Sequence, residues 1–148
     1  MKKILITLLL VPALALAQVK APKQPKGVMY DAQILQVSDG DTVVIAAPFL
    51  PAPLKPQLAV RIYGVDTPEK GHRAQCPGED ARGQAASVFT KNLVQASQQQ
   101  QVILYGWDKF GGRVLGDIIL NGQSLRAELI RNGHAREYYG DAKQSWCQ

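Results

Sequence analysis

Cysteine and histidine are both scarce in this chain, which holds only Cys76, Cys147, His72 and His134 of these types. So sparse a set does not resemble a zinc site, which takes four nitrogen or sulfur ligands at short, regular spacings. The apolar run from Ile4 to Leu16 is interrupted by Thr7 and Pro12, and it is shorter than the roughly 20 residues a membrane-spanning helix needs. Internal repeats are lacking, and the run Gln98 to Gln101 is too short to count as low complexity. The segment around Asp39-Gly40-Asp41 lacks the spacing and terminal glutamate of an EF-hand loop. These absences exclude a zinc module, a solenoid and an EF-hand sensor.

The start of the chain has the pattern of a removable address. Lys2 and Lys3 precede the apolar run, and Ala15-Leu16-Ala17 supplies a small-residue cleavage pattern. Residues 1–17 therefore read as a signal peptide. The expected location is periplasmic or extracellular, with no stable membrane association once the leader is removed. No cysteine stands at the cleavage point to carry a lipid anchor. Residues 18–27 read as a flexible basic tail with Pro and Gln, and 28–148 as one domain large enough for a core.

This division changes the charge argument. The chain has 17 basic and 12 acidic residues. Setting aside Lys2 and Lys3 in the leader and Lys20, Lys23 and Lys26 in the tail leaves the domain with 12 of each. A basic isoelectric point therefore says little about nucleic acid, and the charges count by where they sit. An oxidising compartment permits a Cys76–Cys147 bridge, with two unpaired thiols as the other reading.

Beyond the tail the pattern has period two. Val28, Tyr30, Ala32 and Ile34 alternate, Val37 ends the run, and Asp39-Gly40 is a hairpin-turn dipeptide before Thr42-Val43-Val44-Ile45. Ala46 to Pro56 holds four prolines and reads as a loop. Leu58 to Tyr63 predicts a third strand, Val102 to Trp107 a fourth and Val114 to Leu120 a fifth. Residues 79–97 predict a helix with Ala81, Ala85, Val88, Phe89 and Leu93 near one face. Glu79 and Asp80 suit its N-terminus, and Gly83 inside it costs about 1 kcal/mol. A short helix follows Ser124 as N-cap, with Leu125 and Leu129 inward and Gly133 closing it. This order fits an α+β fold, mainly β: a closed, five-stranded OB-type barrel with packed helices.

Three charged stretches stand out against this frame: Asp39-Gly40-Asp41-Thr42, Arg61 to Glu69, and Gly111-Gly112-Arg113. Asp39 and Asp41 are also ordinary turn residues. Asp66 follows a strand and precedes Thr67-Pro68, and the proline restricts Thr67 to an extended backbone. If the second and third strands are neighbours, Asp41, Asp66 and the Thr67 carbonyl converge as hard oxygen ligands for Ca²⁺ or Mg²⁺. Glu69 reads either as a surface carboxylate or as a base for a metal-associated water. Strand alternation puts Arg61 and Tyr63 opposite Val60 and Ile62, so Arg61 faces solvent or a ligand. Arg113 leaves the same two options. Guanidinium forks suit phosphate oxygens, which lysine cannot match. Together these groups fit phosphodiester cleavage.

The combined pattern DGDT, R-x₄-DTPE and GR-x-L resembles the staphylococcal-nuclease-like (thermonuclease) family over about 110 residues, Val28 to Tyr139. The resemblance implies an OB-fold barrel with helices and Ca²⁺-dependent hydrolysis of DNA or RNA at the 5′ P–O bond, leaving a 3′-phosphate. By the same resemblance, Asp41, Asp66 and the Thr67 carbonyl are calcium ligands, and Asp39 is their acidic neighbour. Arg61 and Arg113 serve the transition state and Glu69 is the general base. Tyr139 falls near a tyrosine that packs on the substrate nucleotide, and Lys109 is a further candidate substrate contact. Two glycines precede Arg113 where the family has one. Cys76 with the tail Ser145-Trp146-Cys147 resembles the exported, disulfide-bearing branch, in which a bridge replaces a long C-terminal helix.

The expectation is thus an exported monomeric nuclease of modest sequence preference. Two other classes compete. One is a catalytically silent OB module that binds single-stranded nucleic acid or protein, for which Tyr105, Trp107, Lys109 and Phe110 offer a basic–aromatic mix. The other is a structural Ca²⁺-binding protein without turnover, against which Arg61 and Arg113 stand.

Overall fold

Alternating apolar residues build the five strands that the sequence predicts, with one break, and three two-residue strands are added to them. The computed structural model describes residues 25–147; the expected leader and residues 18–24 of the expected tail lie outside the described residues. The first expected strand is divided into β1 (Val28–Asp31) and β2 (Ile34–Asp39). It is followed by β3 (Thr42–Ala46), β4 (Gln57–Ile62), and the two-residue β5 (Val65–Asp66). Helix α1 (Pro77–Ala96) comes next, then β6 (Gln100–Trp107), β7 (Arg113–Leu120), β8 (Gln123–Ser124), helix α2 (Leu125–Arg131) and β9 (Arg136–Glu137).

The main sheet runs β1-β6-β7-β4-β3-β2, with β8 beside β7, while β5 pairs only with β9. Pairing is antiparallel throughout except between β4 and β7. The fold is α+β, mainly β and OB-like, but the expected closed barrel needs correction. The ladder is a path with two ends, β1 and β2, that do not pair with each other. They are consecutive in the chain, and Gln100 spans their junction. Its carbonyl accepts from Ala32 N–H at 2.9 Å, and its side-chain Oε1 accepts from Ile34 N–H at 2.9 Å. One stretch therefore serves both edges by bending where those two backbone donors leave the ladder.

The core follows the alternation. Val43 and Ile45 of β3, Val60 and Ile62 of β4, and Val102 and Ile118 are buried with Leu125 and Leu129 of α2. Burying each such side chain is worth about 1.5–3 kcal/mol. Ser124 caps α2, its hydroxyl accepting from Ala127 N–H at 3.2 Å.

Helix α1 keeps part of the predicted face, since Phe89 and Leu93 pack against the core, and departs from the rest. Ala81, Ala85 and Val88 are exposed, and the buried positions are Glu79, Gly83, Ala86, Ser87 and Thr90. These buried positions are small or polar because they meet backbone, while Phe89, Leu93 and Val94 pack on the apolar core. A Cβ added to Gly83 would lie 2.3 Å from the Glu69 carbonyl oxygen. One added to Gly40 would lie 2.8 Å from the Ala86 Cβ. Thr90 Oγ1 donates to the Gly40 carbonyl at 2.7 Å. The helix thus sits directly beneath both acidic turns, and a Leu or Val stripe would hold it off. Its Gly83, unfavourable for an isolated helix, is required by tertiary approach.

Candidate active site

Three backbone features bring the charged residues together. The β3–β4 ladder pairs Thr42 with Arg61, and Ile62 N–H donates to the Asp41 carbonyl at 2.8 Å. The first turn of α1 grips the segment beyond Pro68. Glu79 accepts from Glu69 N–H at 3.3 Å and from Gln75 N–H at 2.7 Å, and Asp80 accepts from Gly71 N–H at 2.7 Å. Parallel pairing with β4 sets Arg113 opposite Ala59.

Asp41, Asp66 and Thr67 are buried. Arg61 Nη2 stands 3.2 Å from Asp41 Oδ2, and Thr42 Oγ1 donates to Asp41 Oδ1 at 3.0 Å. Burial pushes the Asp41 carboxyl above its ordinary value. Arg61 and Thr42 oppose that push without cancelling it, and the charges of Asp39 and Asp66 add to it. Asp39 lies at the edge, 2.8 Å from Arg73 Nη2 and 3.4 Å from Lys70 Nζ. Partial burial acts to raise its carboxyl, but those two cations outweigh it and hold the group below its ordinary value.

Asp66 Oδ2 accepts from Trp146 Nε1–H at 3.0 Å. Its Oδ1 makes no aligned hydrogen bond, although Lys143 Nζ stands 2.7 Å away. Glu69 is bracketed by Arg73 Nε at 3.3 Å and Lys143 Nζ at 3.8 Å. Burial acts to lower the Lys143 ammonium, yet Asp66 and Glu69 hold it above the ordinary lysine value. It is therefore a fixed positive charge between two site carboxylates.

A groove of about 600 Å³ adjoins this cluster, and Arg61, Glu69, Lys109, Arg113, Tyr139 and Lys143 all line it. Asp41 and Thr67 do not reach its wall, and Asp66 instead lines two smaller recesses beside the C-terminal segment. Arg113 is held through Nε, 2.5 Å from Asp108 Oδ2, a contact that does not use its two Nη groups. The additional glycine is absorbed in the turn. Gly111 and Gly112 both have φ of 70°, while Asp108 N–H donates to the Arg113 carbonyl at 3.0 Å. Tyr139 leans on Tyr63, ring centroids 5.9 Å apart, and its hydroxyl accepts from Arg126 at 2.6 Å. Lys109 lies over Phe110, 5.0 Å from the ring centroid, and Phe110 and Trp107 are both largely exposed.

The sequence readings of Arg61, Glu69, Arg113, Asp41, Asp66, Thr67, Asp39, Lys109 and Tyr139 thus fall in one region. Lys143, Arg73 and Asp108 join the site without a sequence-based expectation, and Trp146, expected only as part of the disulfide-bearing tail, joins it too. Arg73 had a legible cue, four residues after Glu69 at pairing distance on a helical turn. Lys143 and Trp146 had none, being distant in sequence from every site residue. The Cys76–Cys147 bridge is formed. It takes the place of the two-thiol reading.

Among the described residues no three His, Cys, Asp or Glu side chains group as a ready metal cage. The donor chemistry nevertheless fits a hard cation: two buried carboxylates and a backbone carbonyl, with one buried carboxylate oxygen lacking an aligned hydrogen bond.

The fold is mainly β and OB-like, with Arg61 and Arg113 on one groove beside buried carboxylates, and its family places it among nuclease-like domains. The sequence model of the family described as "Staphylococcal nuclease homologue" matches residues 59–146, and the chain belongs to that family. The match spans Arg61, Asp66, Thr67, Glu69, Arg113 and Tyr139, while Asp39 and Asp41 precede it. No curated protein matches the chain. No helix among the described residues is long and apolar enough to cross a membrane.

Proposed function

We propose that this protein is an exported, Ca²⁺-dependent nuclease that hydrolyses phosphodiester bonds of DNA or RNA and works as a monomer. The observation that carries the reading is one groove lined by Arg61, Arg113 and Glu69 beside the buried carboxylates Asp41 and Asp66. Export rests on the leader-like residues 1–17 and is consistent with a disulfide.

Asp41, Asp66 and the Thr67 carbonyl would hold the ion. When bound, Ca²⁺ supplies positive charge that neutralises a phosphate oxygen and lowers the cost of bringing an anion to two carboxylates. Arg61 and Arg113 bind the phosphate and stabilise the charge that develops on its oxygens. Asp108 orients the Arg113 fork, and Arg73 and Lys143 hold Glu69 at the groove edge. Glu69 takes one proton from the attacking water as the water oxygen bonds to phosphorus. The P–O5′ bond then breaks, and the departing oxygen takes up a proton from solvent. The products end in 3′-phosphate and 5′-hydroxyl.

The test is cleavage of single-stranded DNA with Ca²⁺ by wild type and Glu69→Gln. Wild type should release 3′-phosphate ends and stop on chelation. Glu69→Gln should bind DNA but cut at least about a hundredfold more slowly. Cleavage that survives both chelation and Glu69→Gln overturns the mechanism. Binding without cleavage by wild type assigns the chain to the silent OB module instead.

A further inference from the structure

The chain after β9 runs back over Asp66 and is held there at three consecutive residues. The Ser145 carbonyl accepts from Arg136 Nη1 at 3.0 Å. The Trp146 carbonyl accepts from Arg82 Nη1 at 2.5 Å, and its ring lies 3.7 Å beneath the Arg136 guanidinium. Cys147 is bonded to Cys76, the N-cap of α1. That helix end also ties down the Glu69 backbone through Glu79. The turn carrying the site and the segment covering it therefore hang on one helix terminus.

Packing alone does not call for tryptophan here. Phenylalanine could fill much of the same space, whereas a buried indole N–H needs a partner. Its partner is Asp66 Oδ2, at 3.0 Å. The carboxylate torsion of aspartate is broad and roughly two-fold, so one firm donor on Oδ2 selects its rotation and turns Oδ1 toward the half-exposed Lys143 ammonium, 2.7 Å away, the cation that Ca²⁺ would displace. Asp66 Oδ1 is a buried carboxylate oxygen without an aligned hydrogen bond.

We propose that Trp146 is a positioning residue for Asp66, delivered by the Cys76–Cys147 bridge, and that it sets the affinity of the site for Ca²⁺. The inference rests on the Ca²⁺-dependent reading above. Outer-shell donors of this kind cost about 10–100-fold in metal affinity when removed.

The test is calorimetric titration of CaCl₂ into the oxidised wild type, Trp146→Phe, and the double variant Cys76→Ser/Cys147→Ser, with thermal unfolding recorded for each. Trp146→Phe keeps an aromatic ring under Arg136 and loses the donor together with the pyrrole ring of the indole, a loss of packing that thermal unfolding reads separately. Its Kd for Ca²⁺ should rise about 10–100-fold, and the Ca²⁺ concentration that half-activates cleavage should rise in step. The double variant should also bind Ca²⁺ more weakly, because the indole is no longer tethered. A residue that merely packs would lower the unfolding midpoint without moving that Kd. A folded Trp146→Phe whose Kd stays within about twofold of wild type overturns the proposal. If Trp146→Phe does not fold, a folded double variant with an unchanged Kd overturns it instead. Wild type that binds and cleaves with Ca²⁺, beside an unchanged Trp146→Phe, sinks this inference alone. Wild type that does not bind Ca²⁺ sinks it together with the reading beneath it.

Discussion

Gly83→Ala places a methyl group where α1 meets the turn that carries Asp66 and Glu69. The added Cβ would lie 2.3 Å from the Glu69 carbonyl oxygen, 2.7 Å from its carbon and 2.8 Å from the Pro68 carbonyl oxygen. Ordinary contact begins at 3.4 Å, so helix and turn must part by about 1 Å. All three atoms are backbone, and no side chain can rotate out of the way. Two effects oppose each other. Replacing glycine by alanine in a helix interior gains about 1 kcal/mol, while overpacking costs about 1–3 kcal/mol. With backbone on both sides the second wins, for a net loss of about 1 kcal/mol and a fall in Tm of roughly 3–8 °C. A shift of about 1 Å at Glu69 should cost on the order of 100-fold in cleavage rate. Thermal unfolding by circular dichroism and cleavage of single-stranded DNA with Ca²⁺ measure the two effects separately. Gly78→Ala is the control, since its Cβ would meet only Arg82 Nη1 at 3.6 Å, and it should keep or raise Tm. A Gly83→Ala variant as stable as that control, cutting within about threefold of wild type, would refute the close-approach argument.

Lys143→Gln removes an ammonium that stands 2.7 Å from Asp66 Oδ1 and competes with any other cation for that oxygen. Because the lysine is half-exposed, the expected effect is a modest two- to fivefold fall in the Kd for Ca²⁺, of about 1 kcal/mol or less; a weaker Kd by calorimetry would count against competition. Asp117 supplies a pH prediction. Burial raises its carboxyl above the ordinary 3.8, against the hydrogen bonds from Ser124 and the Arg126 and Ile118 backbones. A raised folded-state value means its contribution to stability is fully present below the unfolded pKa and lost as pH rises through the folded one. Asp117→Asn removes that loss, so urea unfolding should show its stability relative to wild type increasing as pH rises above the ordinary carboxyl value of 3.8. A constant difference would show that the group does not titrate as described.

The longer strands, both helices and the acidic turns were legible in the sequence because they rest on local rules, whereas the two-residue strands β5, β8 and β9 exist only through their partners. Alternation placed Val60 and Ile62 inward and Arg61 outward, as found, because successive strand side chains must point to opposite faces. Ser124 was legible as a cap because its hydroxyl acts within one turn. Periodicity finds Phe89 and Leu93 on the inner face of α1 but misses Gly83 and Ala86, because it ranks residues by hydrophobicity and these positions require smallness. What lies opposite Gly83 and Ala86 is backbone from residues 68–69 and from Gly40, which no pattern within the helix records.

The sequence alone determined which groups are on offer: hard oxygen donors, guanidinium forks and a nearby carboxylate are properties of residue types and short spacings. The tertiary structure decided how those groups are held. Whether Asp41 is paired, which oxygen of Asp66 carries a donor, and which cation stands beside Glu69 depend on contacts from β4 and the C-terminal segment. Trp146 and Lys143 reach the site only because the chain folds back and is bonded to Cys76. A hydrogen bond spanning 80 residues follows from where the core turns the backbone, and such long-range placement leaves no trace in local periodicity.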